Sequence, residues 1–143
     1  MVTTDILRNC PAPVGIDRLD EQRLELHRQL WGLLNILEKN PSGAIPENRF
    51  IQFADQTTEH YRTEEEFMQT MGFPDLASHR IEHERIVRRF KENMMRWNAP
   101  NSPSLVALVG EFAESTLKHS KMMDFAFVKW LGERAGRSFP GAD

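Results

Sequence analysis

Cysteine is nearly absent, with one residue, Cys10, in a chain of 143. A lone thiol closes no internal disulfide, so the fold must rest on burial or a bound ion, and a reducing, cytoplasmic setting is the expectation. Long apolar runs are lacking as well. No stretch approaches the roughly 20 residues that span a bilayer, and the first ten residues mix Asp5 and Arg8 with few apolar side chains, unlike a signal-peptide core. An excess of one charge is also missing: 18 Lys and Arg against 21 Asp and Glu leave −3, which argues against nucleic-acid or polybasic membrane binding. Strand-like alternation, internal repeats and low-complexity tracts are not found. The expectation is a single domain over residues 1–143, a monomer or weak homo-oligomer.

Proline and glycine punctuate the chain at 11–15, 40–46, 72–74 and 99–103, and none of these breaks is long enough for a domain linker. Between them, apolar residues recur at three- and four-residue steps, the mark of helices with one buried stripe. The stripes read Leu19, Arg23, Leu26, Leu30, Leu33, Leu37; then Phe50, Phe53, Thr57, His60, Glu64, Phe67, Met71; then Leu76, His79, His83, Ile86, Phe90, Met94, Trp97; and finally Leu105, Leu108, Phe112, Thr116, His119, Met123, Phe127, Trp130. Ser102 and Pro103 supply a cap and first-turn proline for the fourth, and Gly136 a stop. Short connections make the economical architecture an all-α, antiparallel, up-down-up-down four-helix bundle over 17–135, with residues 1–16 as an extended arm. Met68, Met71, Met94, Met95, Met122 and Met123 read as core filler, and Arg85, Arg88, Arg89 and Lys91 as a solvated face.

What the chain does have is five histidines, and their placement is organised. A polar residue on a buried stripe is costly unless it finds a partner. His60 and Glu64 lie four apart, as do His79 and His83, so each pair projects from one helix face. His119 and Asp124 lie five apart, which on a regular α-helix separates them by about 140° around the axis and makes them straddle the core line. Depth counted from the loops sets Glu64 seven residues before the second connection and His83 seven after it. The same counting brings Arg23, His60 and His119 to that mid-bundle layer. Four imidazoles with two carboxylates able to bridge suit a pair of iron or manganese ions, whereas zinc alone would need fewer ligands.

At these residues the chain resembles the bacterial hemerythrins, oxygen-binding di-iron four-helix bundles of the HHE cation-binding family. The matching elements are His60-Tyr-Arg-Thr-Glu64-Glu, the run from Gly72-Phe-Pro-Asp through His79 to His83, and His119 followed five residues on by Asp124. The stretch from Val14 to Gln22 is similar to the opening of the family's first helix, and the resemblance covers the chain from Val14 to about Leu131. It implies that His79, His83 and His119 ligate one iron, that His60 ligates the other, that Glu64 and Asp124 bridge them, and that oxygen binds at the iron with fewer histidines.

Arg23 departs from that pattern, standing where the family places another histidine ligand. A guanidinium has five donors, no acceptor and a permanent charge, so it cannot replace an imidazole on iron. Three arrangements are open. His27, one turn on, substitutes as ligand; or the iron keeps His60 and the bridges, with water or an anion near Arg23; or the three-histidine position fills alone. Around the ligand pocket, Ser115, Thr116 and Ser120 replace large apolar side chains, while Leu26 and Tyr61 still face it. A more polar pocket favours autoxidation over reversible carriage. The expected function is therefore a non-heme di-iron protein that binds O2, another diatomic or a small anion. The alternatives are a peroxide- or nitric oxide-reducing enzyme at the same centre, or a metal-depleted helical interaction module.

Overall fold

The computed structural model describes residues 14–39, 47–96 and 104–134, and among them every regular element is helical. Helix α1 runs Asp17–Lys39, α2 Glu47–Met71 and α3 Leu76–Arg96. The fourth rod is α4, Leu105–His119, continued through a π-helical turn, Ser120–Asp124, into α5, Phe125–Arg134. Each rod packs on the next and the fourth closes on the first. Their directions alternate. Gln22 meets His60 and Thr63, Arg80 meets Glu65 and Gln69, Arg89 pairs with Glu111, and Arg23 pairs with Asp124. This is the expected four-helix bundle.

Local chemistry sets where the rods begin and end. Asp20 holds the entry to α1 by accepting from the backbone N–H groups of Val14 at 2.8 Å and Gly15 at 3.1 Å, and Gly15 supplies the positive φ of 91° that this hook needs. After α2, Gly72 takes φ 79° and the Phe73 N–H reaches back to the Met68 carbonyl at 2.9 Å, a glycine C-cap sealed by apolar contact. α4 starts at Ser104, whose hydroxyl accepts from the Ala107 N–H at 3.2 Å. The cap is thus Ser104 rather than Ser102; Ser102, Pro103, Gly136 and residues 1–13 of the expected arm lie outside the described residues.

Two apolar clusters fill the interior. The larger joins Leu30, Leu33, Leu34, Leu37, Phe53, Phe90, Val109 and Phe112, and Phe53 sets its ring edge against both other phenylalanines. The smaller joins Met68, Phe73 and Phe127, with Trp130 and Leu131 packed on it. Two expected core methionines are on the surface instead: Met95 is 86% exposed and Met122 62% exposed. On α1, the buried residue between Arg23 and Leu30 is His27, while Leu26 is half-buried. Leu34 is fully buried in the larger cluster, so Leu34→Ala should cost about 2 to 5 kcal/mol, read as a lower midpoint in denaturant at unchanged helix content.

Candidate metal centre

Between the two clusters lies a layer of buried polar side chains: His60, Glu64, His79, His83, His119 and Asp124. Glu64 is its hub. Its Oε1 lies 2.8 Å from His79 Nε2, 3.0 Å from His83 Nε2 and 3.8 Å from His119 Nε2. The two latter imidazoles put their Nε2 atoms 3.0 Å from each other. Asp124 Oδ1 joins the same side at 3.2 Å from His79 Nε2 and 3.4 Å from His119 Nε2. Donor atoms of Glu64, His79, His83 and His119 all fall within 4.8 Å of one another.

These spacings test whether a metal fits. Metal–nitrogen and metal–oxygen bonds of about 2.1 Å place neighbouring donors on one ion roughly 3 to 4 Å apart. The separations of 2.8 to 3.8 Å around Glu64 Oε1 and 3.2 to 3.4 Å around Asp124 Oδ1 are close to that range. Two imidazole nitrogens facing each other at 3.0 Å share a proton when one is protonated, and the same geometry lets both turn lone pairs to a cation. The donor set, three nitrogens and two carboxylate oxygens, matches a divalent transition metal.

The supports behind the donors are as specific as the donors. His83 Nδ1 donates to Glu65 Oε2 at 2.7 Å, and Arg80 holds that carboxylate from the other side. His60 Nδ1 donates to Gln22 Oε1 at 2.9 Å, and Gln22 in turn donates to Thr63 Oγ1. Both hydrogen bonds fix the tautomer that turns Nε2 inward. The Tyr61 ring lies flat on His83, centroids 3.8 Å apart and planes 4° apart, and its edge meets His119. Burial, together with the nearby Glu64 carboxylate, pushes the Tyr61 hydroxyl well above its usual pKa, so it stays protonated.

Electrostatics favour the charged forms of Glu64, His79 and His119. Burial alone would raise Glu64, but the His119, His79 and His83 imidazoles around it, His79 nearest at 2.8 Å, outweigh it and hold the carboxyl well below the usual range. Burial would lower His119; the nearby Asp124 and Glu64 carboxylates win and raise it to about 9, and His79 rises for the same reason. His60 goes down, desolvated, with Glu64 at 3.8 Å compensating only in part.

The two carboxylates each have a second oxygen, and these face a different neighbourhood. Glu64 Oε2 faces His60 Nε2 at 3.8 Å, and Asp124 Oδ2 faces the Arg23 guanidinium at 3.6 Å. Beside them is a cavity of about 60 Å³, bounded by Arg23, Leu26, His27, Tyr61, Thr116 and Ser120 among others. His27 is 7% exposed, its Nε2 has no hydrogen-bond partner among the described residues, and desolvation lowers its pKa, so it is neutral at pH 7. Ser115 lies elsewhere, in the groove with Arg89 and Glu111. Gln22 is the site residue that sequence reasoning did not single out; its signal is its place next to Arg23, on the helix facing His60.

A family model described as the hemerythrin HHE cation binding domain matches residues 14–131. This chain belongs to the hemerythrin family. Among hemerythrins and their relatives, it is 26% identical over 120 residues to a bacteriohemerythrin of Aquifex aeolicus, covering 82% of this chain and 88% of that one. It is 30% identical over 89 residues to a bacteriohemerythrin of Stenotrophomonas maltophilia, covering 60% of this chain and 56% of that protein. A hemerythrin-like protein of Naegleria gruberi is 31% identical over 75 residues, covering 52% of this chain and 57% of its own length. No solved structure matches significantly. No helix among the described residues is long and apolar enough to cross a membrane.

Two outcomes test this hemerythrin site. Glu65→Ala should weaken metal binding about 10- to 100-fold in a competition titration, because it frees the far nitrogen of His83. In chelator-treated protein, His119 contributes stability fully below its ordinary pKa of 6.5 and loses it as pH rises through about 9. The melting temperature should fall across that window, by on the order of 3 kcal/mol in stability, and His119→Gln should flatten the fall.

Proposed function

We propose that this hemerythrin is a non-heme iron protein that binds dioxygen or a related small ligand, for sensing, storage, delivery or detoxification, without turning over an organic substrate. The observation that carries this reading is the convergence of three imidazole nitrogens and two carboxylate oxygens, with a small cavity on the His60 and Arg23 side of Asp124. A volume of about 60 Å³ suits a ligand of a few atoms. Relatives named bacteriohemerythrin support the same reading. His79, His83, His119, Glu64 and Asp124 would hold the ion, with His60 on the far side of the carboxylates. Bound there, iron supplies a redox couple and a coordination position for the ligand.

The protein's own groups define the rest. Thr57 and Thr116 line the cavity, yet their hydroxyls donate to the Phe53 and Ala113 carbonyls at 2.9 Å each, so these protons are already engaged. With Leu26, Leu30, Phe53 and Phe112 on the same wall, the pocket is drier than its hydroxyl count implies. Donors among the lining groups include the Arg23 guanidinium and the His27 imidazole, along with the Tyr61 and Ser120 hydroxyls. That second feature favours one alternative, reduction of peroxide or nitric oxide by an external reductant, with His27 Nε2 poised on the cavity.

Anaerobic loading with ferrous iron followed by oxygen separates the readings. Ligand binding predicts an oxygen- or azide-dependent visible band with slow loss, abolished by His83→Ala. Sustained peroxide or nitric oxide consumption with a reductant, reduced by His27→Phe, would favour the enzyme. Iron should also raise the melting temperature, through about 2.7 kcal/mol of added stability at a hundredfold excess over Kd. An unchanged melting temperature would instead mark a metal-free helical module.

A further inference from the structure

The two sides of the carboxylate layer are built differently. On one side, three imidazole Nε2 atoms meet Glu64 Oε1 and Asp124 Oδ1. On the other, Glu64 Oε2 meets one imidazole, His60, and Asp124 Oδ2 meets a guanidinium nitrogen at 3.6 Å. The Arg23 side chain is 10% exposed and that of Asp124 5%. A buried guanidinium is always charged and offers no lone pair, so it pairs with a carboxylate but cannot ligate a metal.

We infer that Arg23 is the second cation of this centre, an organic charge fixed where Asp124 would otherwise turn an oxygen to a second ion, so that the chain holds one iron. The inference rests on the reading of the centre as an iron site. Charge supports it: two carboxylates and one guanidinium leave a single negative charge, which one divalent ion turns to a single positive charge. A second divalent ion would leave three positive charges in a layer closed to solvent, and like charges at such separations repel strongly. Donor number agrees. The far side offers His60 Nε2 and two carboxylate oxygens, one of them paired with Arg23. His27 stands on the cavity, outside the cluster of mutually close donors. The guanidinium also occupies the edge of the cavity, where it supplies a donor for a ligand that carries negative charge.

The test is metal content and electron paramagnetic resonance on the whole chain, reconstituted with ferrous iron, desalted and oxidised. The wild-type protein should hold about one iron, with a mononuclear high-spin ferric signal accounting for the bound metal. Arg23→His, which removes the charge and offers a nitrogen toward Asp124, should hold about two and lose much of that signal to spin coupling. Two irons in the wild type, or one in a folded Arg23→His protein, would overturn the inference while leaving the iron site intact. No iron in either protein would overturn the iron reading and this inference with it. If Arg23→His fails to fold, Arg23→Gln takes away the charge and keeps the other donors: iron content above one supports the inference, and content fixed at one overturns it.

Discussion

One carboxylate organises this bundle. Glu64 sits at 1% exposure in the middle of α2, and an ionised carboxylate there is tolerable because His79 pairs with its Oε1 at 2.8 Å and the His83 and His119 imidazoles crowd the same oxygen. That requirement fixes how deep α2, α3 and α4 stand relative to one another. A shift of one helical turn along any of them would leave a buried charge without partners. The Gly72 cap and the short turn to Leu76 make the required depth the natural one, since they place Glu64 and His83 at matching distances from the turn.

The polar layer is rigid because it is clamped from both ends. Above it, Phe53, Phe90 and Phe112 interlock; below it, Phe73 packs edge-on against Phe127 and Trp130, and also against the His79 ring. Donors on stiff helices between two packed clusters meet a metal with little reorganisation. The residues that would hold an ion also make the buried polar contacts of this layer, so ligand affinity and fold stability draw on one set of contacts.

Much of this was legible in the sequence because helices broken by glycine and proline have predictable ends: α1 closes at Lys39, α2 at Met71, and α3 opens at Leu76, as the periodicity implies. The depth count also succeeds, since a rise per residue is nearly constant once the ends are known. Rotation around an axis is less forgiving. His27 displaces Leu26 from the buried line of α1, and Ser115 faces the Arg89 groove rather than the cavity, because two or three residues near the stripe's edge compete for the same inward direction. Met95 and Met122 look like core by spacing and are not, since methionine tolerates either side of a boundary. The hydroxyls of Thr57 and Thr116 are invisible as satisfied groups until the backbone carbonyls they bond are in view.

The five-residue interval from His119 to Asp124 looked awkward on a regular helix, and the π turn at Ser120–Asp124 resolves it. Such a turn holds one residue more than the α turn it replaces, so it resets the angular phase of everything that follows. The extra residue is absorbed inside the turn: Asp124 comes round to the side of His119 although it is five residues on, and Phe127 and Trp130 beyond it still meet Phe73. The fourth rod is therefore a two-part gauge whose halves are timed for different tasks, one for ligands and one for the apolar floor, and the spacer between them is counted in whole residues.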